Sequence, residues 1–298
     1  MSTGSAHGLN KRLLRALLLA AGQLPLPVLH GLGRLLGMLL WLLPNSPRRI
    51  SRFHVDRCLP ELSPAQRRRI VRESLCQSLQ SVLESPAIWF GPERRLRRWM
   101  DHPAAAAQLA EVSRGGAVIL CPHIGSWELA GMFCAAHGGI TSLYKPQPGV
   151  IDALILEGRT RLGATLVPTS AAGVKALLQA LRRGERIGVL PDHDPPLGSG
   201  VFAPLFGMTA HTPDLAVKLA GRTGAPVWFC YAERLRRGRG FRIHLRPAPA
   251  GLDDTQKGAA ALNAGIEQVI RHLPEQYWWS YKRYRRQPPG SKNPYAGL

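Results

Sequence analysis

A chain of 298 residues with 45% hydrophobic side chains carries enough apolar material for a sizeable core, which excludes a disordered chain and allows one large α/β domain, alone or with an appendage. Lys and Arg number 39 against 19 Asp and Glu, a formal net charge of +20, so the surface attracts polyanions: nucleic acid, anionic lipid head groups, phosphorylated glycolipids or acidic proteins. The five cysteines, Cys58, Cys76, Cys121, Cys134 and Cys230, are scattered and form no Cys-x-x-Cys pair, which speaks against a disulfide framework or a zinc site and for a reducing compartment.

From Leu13 to Leu43 the chain is mostly Leu, Ala and Gly, flanked by Lys11, Arg12 and Arg15 on one side and by Arg48, Arg49 and Arg52 on the other. Pro25, Pro27, His30 and Arg34 interrupt the run, whereas a clean span needs about 20 predominantly apolar residues. Basic flanks at both ends favour a helix lying in the membrane interface over the alternative of a single span, and no clear Ala-x-Ala site follows to suggest a cleaved leader. Residues 1–45 are therefore expected to form a membrane-associated helical segment, with 46–298 as the main domain.

Residues 46–100 have helical patterning. Ser63-Pro64-Ala65 is a helix start, and Ser85-Pro86 is expected to break the helix that follows. Twelve arginines against five acids between Arg48 and Arg98 make either a solvated helix face or, beside an apolar anchor, a surface for phosphate head groups. Beyond Gly115, short apolar runs alternate with helical stretches. The strands expected are Ala117 to Cys121, Thr141 to Tyr144, Thr165 to Pro168, Ile187 to Leu190, Val227 to Tyr231 and Phe241 to Leu245; the helices are Trp127 to Ala136, Ile151 to Leu162, Ala172 to Arg183, Pro213 to Arg222 and Gln256 to His272. Such alternation predicts an α/β fold with a mainly parallel central sheet flanked by helices, and sites beyond the carboxyl ends of its strands.

Two loops stand at such ends. One carries His123-Ile124-Gly125-Ser126-Trp127-Glu128, the other Asp192-His193-Asp194. With the strand ending at Pro122, His123 projects from its tip, Gly125 allows a close approach of backbone or substrate, and Ser126 can cap the next helix. Glu128, in the first helical turn, is expected to hold one imidazole nitrogen while the other accepts a proton from a hydroxyl. A capped turn with an incidental salt bridge has the same spacing. Cys121 shares the strand's face with His123 and reads as a buried, inert thiol. The Asp192-His193-Asp194 run invites a metal, but with Pro195 and Pro196 after it and no further ligand cluster it is read as a loop shaping a binding site.

The His-x4-Glu unit resembles the signature of the lysophospholipid acyltransferase superfamily, in its branch of lipid A secondary acyltransferases of Gram-negative bacteria. Further blocks match in order: Tyr144-Lys145-Pro146, Glu157 to Gly163, Ala172 to Glu185, Pro191 to Pro196, Gly200 to Gly207, Thr223 to Val227 and the aromatic, basic Gln276 to Tyr284. The resemblance implies transfer of a fatty acyl chain from a thioester, acyl carrier protein or else acyl-CoA, to a hydroxyl of a lipid A precursor or related glycolipid. It implies an enzyme of the inner membrane's cytoplasmic face, in contact with phospholipid and without a cofactor beyond that co-substrate. His123 would be the base and Glu128 its orienting acid, with no acyl-enzyme. Lys145 stands where the family has an arginine thought to stabilise the oxyanion, keeping the charge but losing the planar fork, and backbone amides near Gly125 would share the task. Arg159 and Arg161 would meet acceptor phosphate or donor acids, or else make helix-surface salt bridges. The tyrosines and tryptophans from Tyr277 onward suit either a membrane interface or stacking on bases; the apolar first segment fits only the membrane, so no nucleic acid is expected.

Overall fold

The apolar amino-terminal run makes two helices. In the computed structural model, which describes residues 3–149, 151–254 and 257–298, they are α1 (Thr3–Gln23) and α2 (Leu26–Leu42), and the two are bent by 110° at the break between them. Pro25 takes the N-cap position in an extended conformation, and a proline inside the first turn of α2 gives up only an amide that has no helical partner. No single helix among the described residues is long and apolar enough to cross a membrane. Leu26, Leu29, His30, Gly33 and Gly37 of α2 are buried, while Val28, Leu32, Leu35, Leu39 and Leu42 are exposed.

The buried side of α2 lies on α4. After α3 (Ser46–Cys58), α4 (Pro64–Phe90) begins with a reciprocal capping box between Ser63 and Gln66. It does not stop at Ser85-Pro86 as its sequence suggests, but runs through Pro86 to Phe90. A proline inside a helix costs about 3 kcal/mol, and here Ala87 and Ile88 are fully buried just beyond it, so packing outweighs the lost backbone bond. Gly33 and Gly37 bring the two helix backbones together: a Cβ on Gly33 would lie 2.7 Å from the Gln80 Cα, and one on Gly37 would overlap the backbone of Cys76. The short helices α5 (Glu93–Trp99) and α6 (Pro103–Val112) lead into the sheet.

From there the order is β1 (Ala117–Leu120), α7 (Trp127–Ala136), β2 (Ile140–Tyr144), α8 (Ile151–Thr160), β3 (Ala164–Pro168), α9 (Ala171–Arg182), β4 (Arg186–Val189), β5 (Gly200–Leu205), β6 (Met208–Pro213), α10 (Leu215–Thr223), β7 (Val227–Arg234), β8 (Phe241–Pro247) and α11 (Gly258–His272). Gln256, the expected first residue of the last helix, lies outside the described residues. Six strands form one sheet in the order β3-β2-β4-β1-β7-β8, parallel except for β8. Strand β1 is central and fully buried, and Val118 to Leu120 have helices on both sides, as an unbroken apolar run requires. The β5–β6 hairpin, a separate pair absent from the sequence expectation, turns through Phe206 and Gly207, both at positive φ (49° and 73°), as a two-residue hairpin turn demands.

The close α2–α4 packing makes a specific prediction. Gly37→Ala is expected to lower folding stability by about 1–3 kcal/mol through overpacking, whereas Gly31→Ala, where an added Cβ meets nothing within 4 Å, is expected to be neutral or stabilising by up to about 1 kcal/mol through helix propensity. Thermal unfolding of the two variants side by side checks this; equal shifts would contradict the packing.

Candidate active site

The parallel register sets the site. Leu120 of β1 is paired with Val189 of β4, and each chain then advances three residues beyond its strand, to His123 and to Asp192. Neighbouring strands lie about 4.8 Å apart, so the two side chains face each other above the sheet edge. Asp192 takes two hydrogen bonds from the same residue: the His123 amide donates to Oδ2 at 2.8 Å, and the imidazole Nδ1 lies 2.9 Å from Oδ1. With Nδ1–H donating to the carboxylate, Nε2 holds the free lone pair, and it has no hydrogen-bond partner among the described residues. Burial by itself would raise the pKa of Asp192, but the charge and hydrogen bonds of His123 outweigh it and hold the carboxyl down at about 2.

Rings enclose the imidazole. His193 stacks on His123 with centroids 3.7 Å apart and planes 2° from parallel, and Tyr281 stacks on the other face of His193 at 4.0 Å. Trp127 and Trp278, themselves stacked, tilt against His123 at 5.2 and 5.6 Å. Burial first, and then the neighbouring charge of His123, push His193 down to about 4, so it stays neutral at physiological pH. The carboxyl-terminal aromatic segment thus folds inward. Tyr277, Trp279 and Tyr284 are buried rather than displayed as a membrane belt, because each closes part of the core and Tyr284 donates its hydroxyl hydrogen to the Leu205 carbonyl.

The hydrogen bond expected between Glu128 and His123 does not form. Glu128, in the first turn of α7, points toward α8 and α4, where Arg159 grips both carboxylate oxygens and the Trp89 indole donates to Oε2 at 2.9 Å. Asp192, entered from the adjacent strand, takes the orienting place instead. Arg159 therefore makes the salt-bridge alternative and also lies over the Tyr144 ring. Arg161 turns its guanidinium onto the carbonyls of Ile88, Trp89 and Gly91 at the end of α4. Asp194 is a clamp for the chain's end, accepting from His211, Arg285 and Arg286. Lys145 is exposed beyond β2, two strand positions from β1, about 10 Å across the sheet.

Gly125 has φ +58°, and a Cβ would collide with the Ala232 carbonyl, so only glycine fits. Its amide, however, is taken by the Gln276 carbonyl and that of Ser126 by Ala232, so neither is open to an oxyanion. Ser126 sits at the N-cap of α7 without making a cap bond. The amides of Trp127, Glu128 and Leu129 in the first turn are left without a partner among the described residues. Behind the turn, Arg234 donates to the Gly125 carbonyl, to Ser81 and to both oxygens of Glu84, and Glu84 also holds His30 of α2 at 2.7 Å. All of these groups are buried. Cys121 is buried as expected, its pKa raised by the hydrogen bond to Cys134 and by burial.

An α/β chain with a carboxylate-held histidine above the parallel edge has the makings of a hydrolase or transferase, and comparison with known proteins narrows this. The profile of the family described as "Bacterial lipid A biosynthesis acyltransferase" matches residues 10–286. The lipid A biosynthesis lauroyltransferase of Escherichia coli K12 is 30% identical over 283 residues, covering 92% of this chain and 90% of its own. The palmitoleoyltransferase of the same organism is 26% identical, with 92% and 90% covered, and the myristoyltransferase 26% identical, with 90% and 83% covered. The chain belongs to the bacterial lipid A biosynthesis acyltransferases.

Two outcomes follow from the site's electrostatics. Asp192→Asn is expected to cut acyl transfer about 10³- to 10⁴-fold with the fold retained, because the imidazole loses its fixed tautomer; initial rates beside circular dichroism decide it, and a loss of less than about tenfold would contradict the orienting role. The unfolded chain protonates a histidine near 6.5 and folded His193 only near 4, so stability is expected to fall as pH drops through that window. Asp192, normally near 3.8 and here about 2, extends the fall below pH 4. Denaturant titrations of His193→Phe should show a shallower slope between pH 6.5 and 4, and an unchanged slope would refute the assignment.

Proposed function

We propose that this protein transfers a fatty acyl chain from an acyl thioester, carried by acyl carrier protein, to a hydroxyl of a lipid A precursor at the cytoplasmic face of the inner membrane. The observation that carries the reading is His123 with Nδ1 committed to a buried carboxylate and Nε2 left free at the carboxyl edge of the sheet. Nε2 removes the proton of the acceptor hydroxyl as its oxygen attacks the thioester carbonyl. The C–O bond forms, the tetrahedral intermediate collapses with cleavage of C–S, and the imidazolium returns its proton to the departing sulfur. Asp192 stabilises the imidazolium without itself taking up the proton. The attack is direct, so neither a serine nor a cysteine nucleophile is required.

The developing oxyanion needs donors. The open amides in the first turn of α7, together with that helix's dipole, are those nearest in sequence to His123. The ion pair of Glu128 and Arg159 fixes that turn by tying α7 to α8, so the two residues act on the base through the helix that follows it. Lys145, exposed beyond β2, is left to contact the donor's acidic carrier or the acceptor's periphery. The exposed leucines of α2 supply the membrane contact, with the basic surface beside them.

His123→Ala is expected to abolish transfer from acyl carrier protein to a tetra-acylated lipid A precursor while leaving the protein folded and membrane-bound. Retained activity rejects the base. Equal rates with acyl-CoA reject the carrier protein as the specific donor, and a deletion strain whose lipid A keeps all its secondary chains rejects the acceptor.

A further inference from the structure

Arg234 and Gln276, which hold the Gly125 turn, line a cleft of about 1350 Å³ that opens between α2, α4 and the loop joining β7 to β8. Eight arginines and three glutamates line it. Four of those arginines are paired with the lining acids: Arg34 and Arg72 with Glu73, Arg69 with Glu275, and Arg242 with Glu233. Arg234 turns inward to Glu84. The remaining three, Arg236, Arg237 and Arg239, have no carboxylate partner among the described residues and are all exposed on the β7–β8 loop.

The loop is held in place. Arg237 adopts φ 61° and ψ 30°, a left-handed conformation that a non-glycine residue keeps only where its surroundings impose it. Next to it Gly238, at φ +66°, packs so closely on α2 that a Cβ there would lie 2.5 Å from the Pro27 Cα. Three uncompensated guanidinium groups are thereby set against the first turn of the helix whose other face carries Val28, Leu32 and Leu35 in the open. A ligand that satisfies both surfaces is an amphiphile with an anionic head group. Guanidinium forks match the oxygens of a phosphate monoester, and the leucine strip matches acyl chains. An acidic protein would use the first surface and leave the second bare.

We propose that this cleft binds the phosphate of a phosphorylated glycolipid, with Arg236, Arg237 and Arg239 as its ligands. It rests on the acceptor reading above and identifies the head-group site of that same substrate. The inner wall explains how such a site serves the chemistry. Arg234 and Gln276 line the cleft and also hold the carbonyl and the amide of Gly125, two residues from His123, so a head group seated here borders the loop of the base.

The test is equilibrium binding of the full-length protein to phosphatidylcholine vesicles containing a tetra-acylated disaccharide lipid, either phosphorylated or with its phosphate removed. Wild type is expected to prefer the phosphorylated vesicles, and the triple variant R236A/R237A/R239A to lose about tenfold or more of that preference. Removing the same charge from α5, in R94A/R97A/R98A, is expected to keep it. The single variants R236Q and R239Q leave the strained Arg237 in place and guard against misfolding; each is expected to lose about threefold. The proposal is overturned if the preference survives the triple variant, if the α5 variant loses as much, or if the triple variant loses acyl carrier protein binding while keeping the phosphate preference. Because no turnover is read, a protein that binds with this preference yet acylates nothing would refute the acceptor reading separately.

Discussion

The double hydrogen bond from His123 to Asp192 is the constraint on which the site depends. It exists because β1 and β4 are parallel neighbours in a register that gives each loop the same three-residue advance. The main-chain bond fixes where the histidine begins and the side-chain bond fixes how its ring is turned. A carboxylate this deeply buried must be paired, so the requirement works in both directions: Asp192 needs the imidazole to be tolerated in the core, and the imidazole needs Asp192 to present Nε2. The stack of His193 and Tyr281 adds a flat wall that limits the ring's rotation.

The second support is ionic. Glu84, 1% exposed, is held down at about 2 because Arg234 and His30 outweigh the burial that would otherwise raise it. Removing one partner of such a buried pair leaves an uncompensated charge, typically at a cost of about 3–5 kcal/mol. Through Arg234 and Ser81 the same cluster grips the carbonyl of Gly125, whose positive φ lets the chain pass under Ala232. Backbone geometry beside His123 is therefore set by side chains drawn from α2, α4 and β7, three elements far apart along the chain.

Much of this architecture is legible in the amino-acid sequence. Short apolar runs separated by helical periods mark all six strands of the main sheet to within a few residues; the reason is clearest in β1, which is buried on both faces and has little choice but Ala, Val, Ile and Leu. Trp127 to Ala136 was placed to the residue. The β5–β6 hairpin lacks that pattern because its strands contain prolines and β6 buries the polar His211 and Thr212, and α4 outruns its proline because burial of Ala87 and Ile88 is a tertiary effect. In the site, His123 and the Asp192 loop were both visible as strand-end residues, but their pairing depends on which strands are neighbours, and sequence order does not state that. Local spacing therefore favours Glu128, five residues after His123, although its place in the first turn of α7 sends it to Arg159 and Trp89. Arg234, Trp278 and the stacking role of His193 had no local signal, since each is defined by a distant partner. The blocks that resemble the lipid A acyltransferases brought the family into view where physical spacing alone left a capped turn equally open.

The chain of contacts from His30 through Glu84 and Arg234 to Gly125 ties the His123 loop to an amino-terminal helix. A shift of α2 against α4 would therefore disturb that loop directly, without melting the sheet, and far-ultraviolet spectra would look healthy while the site had lost its shape.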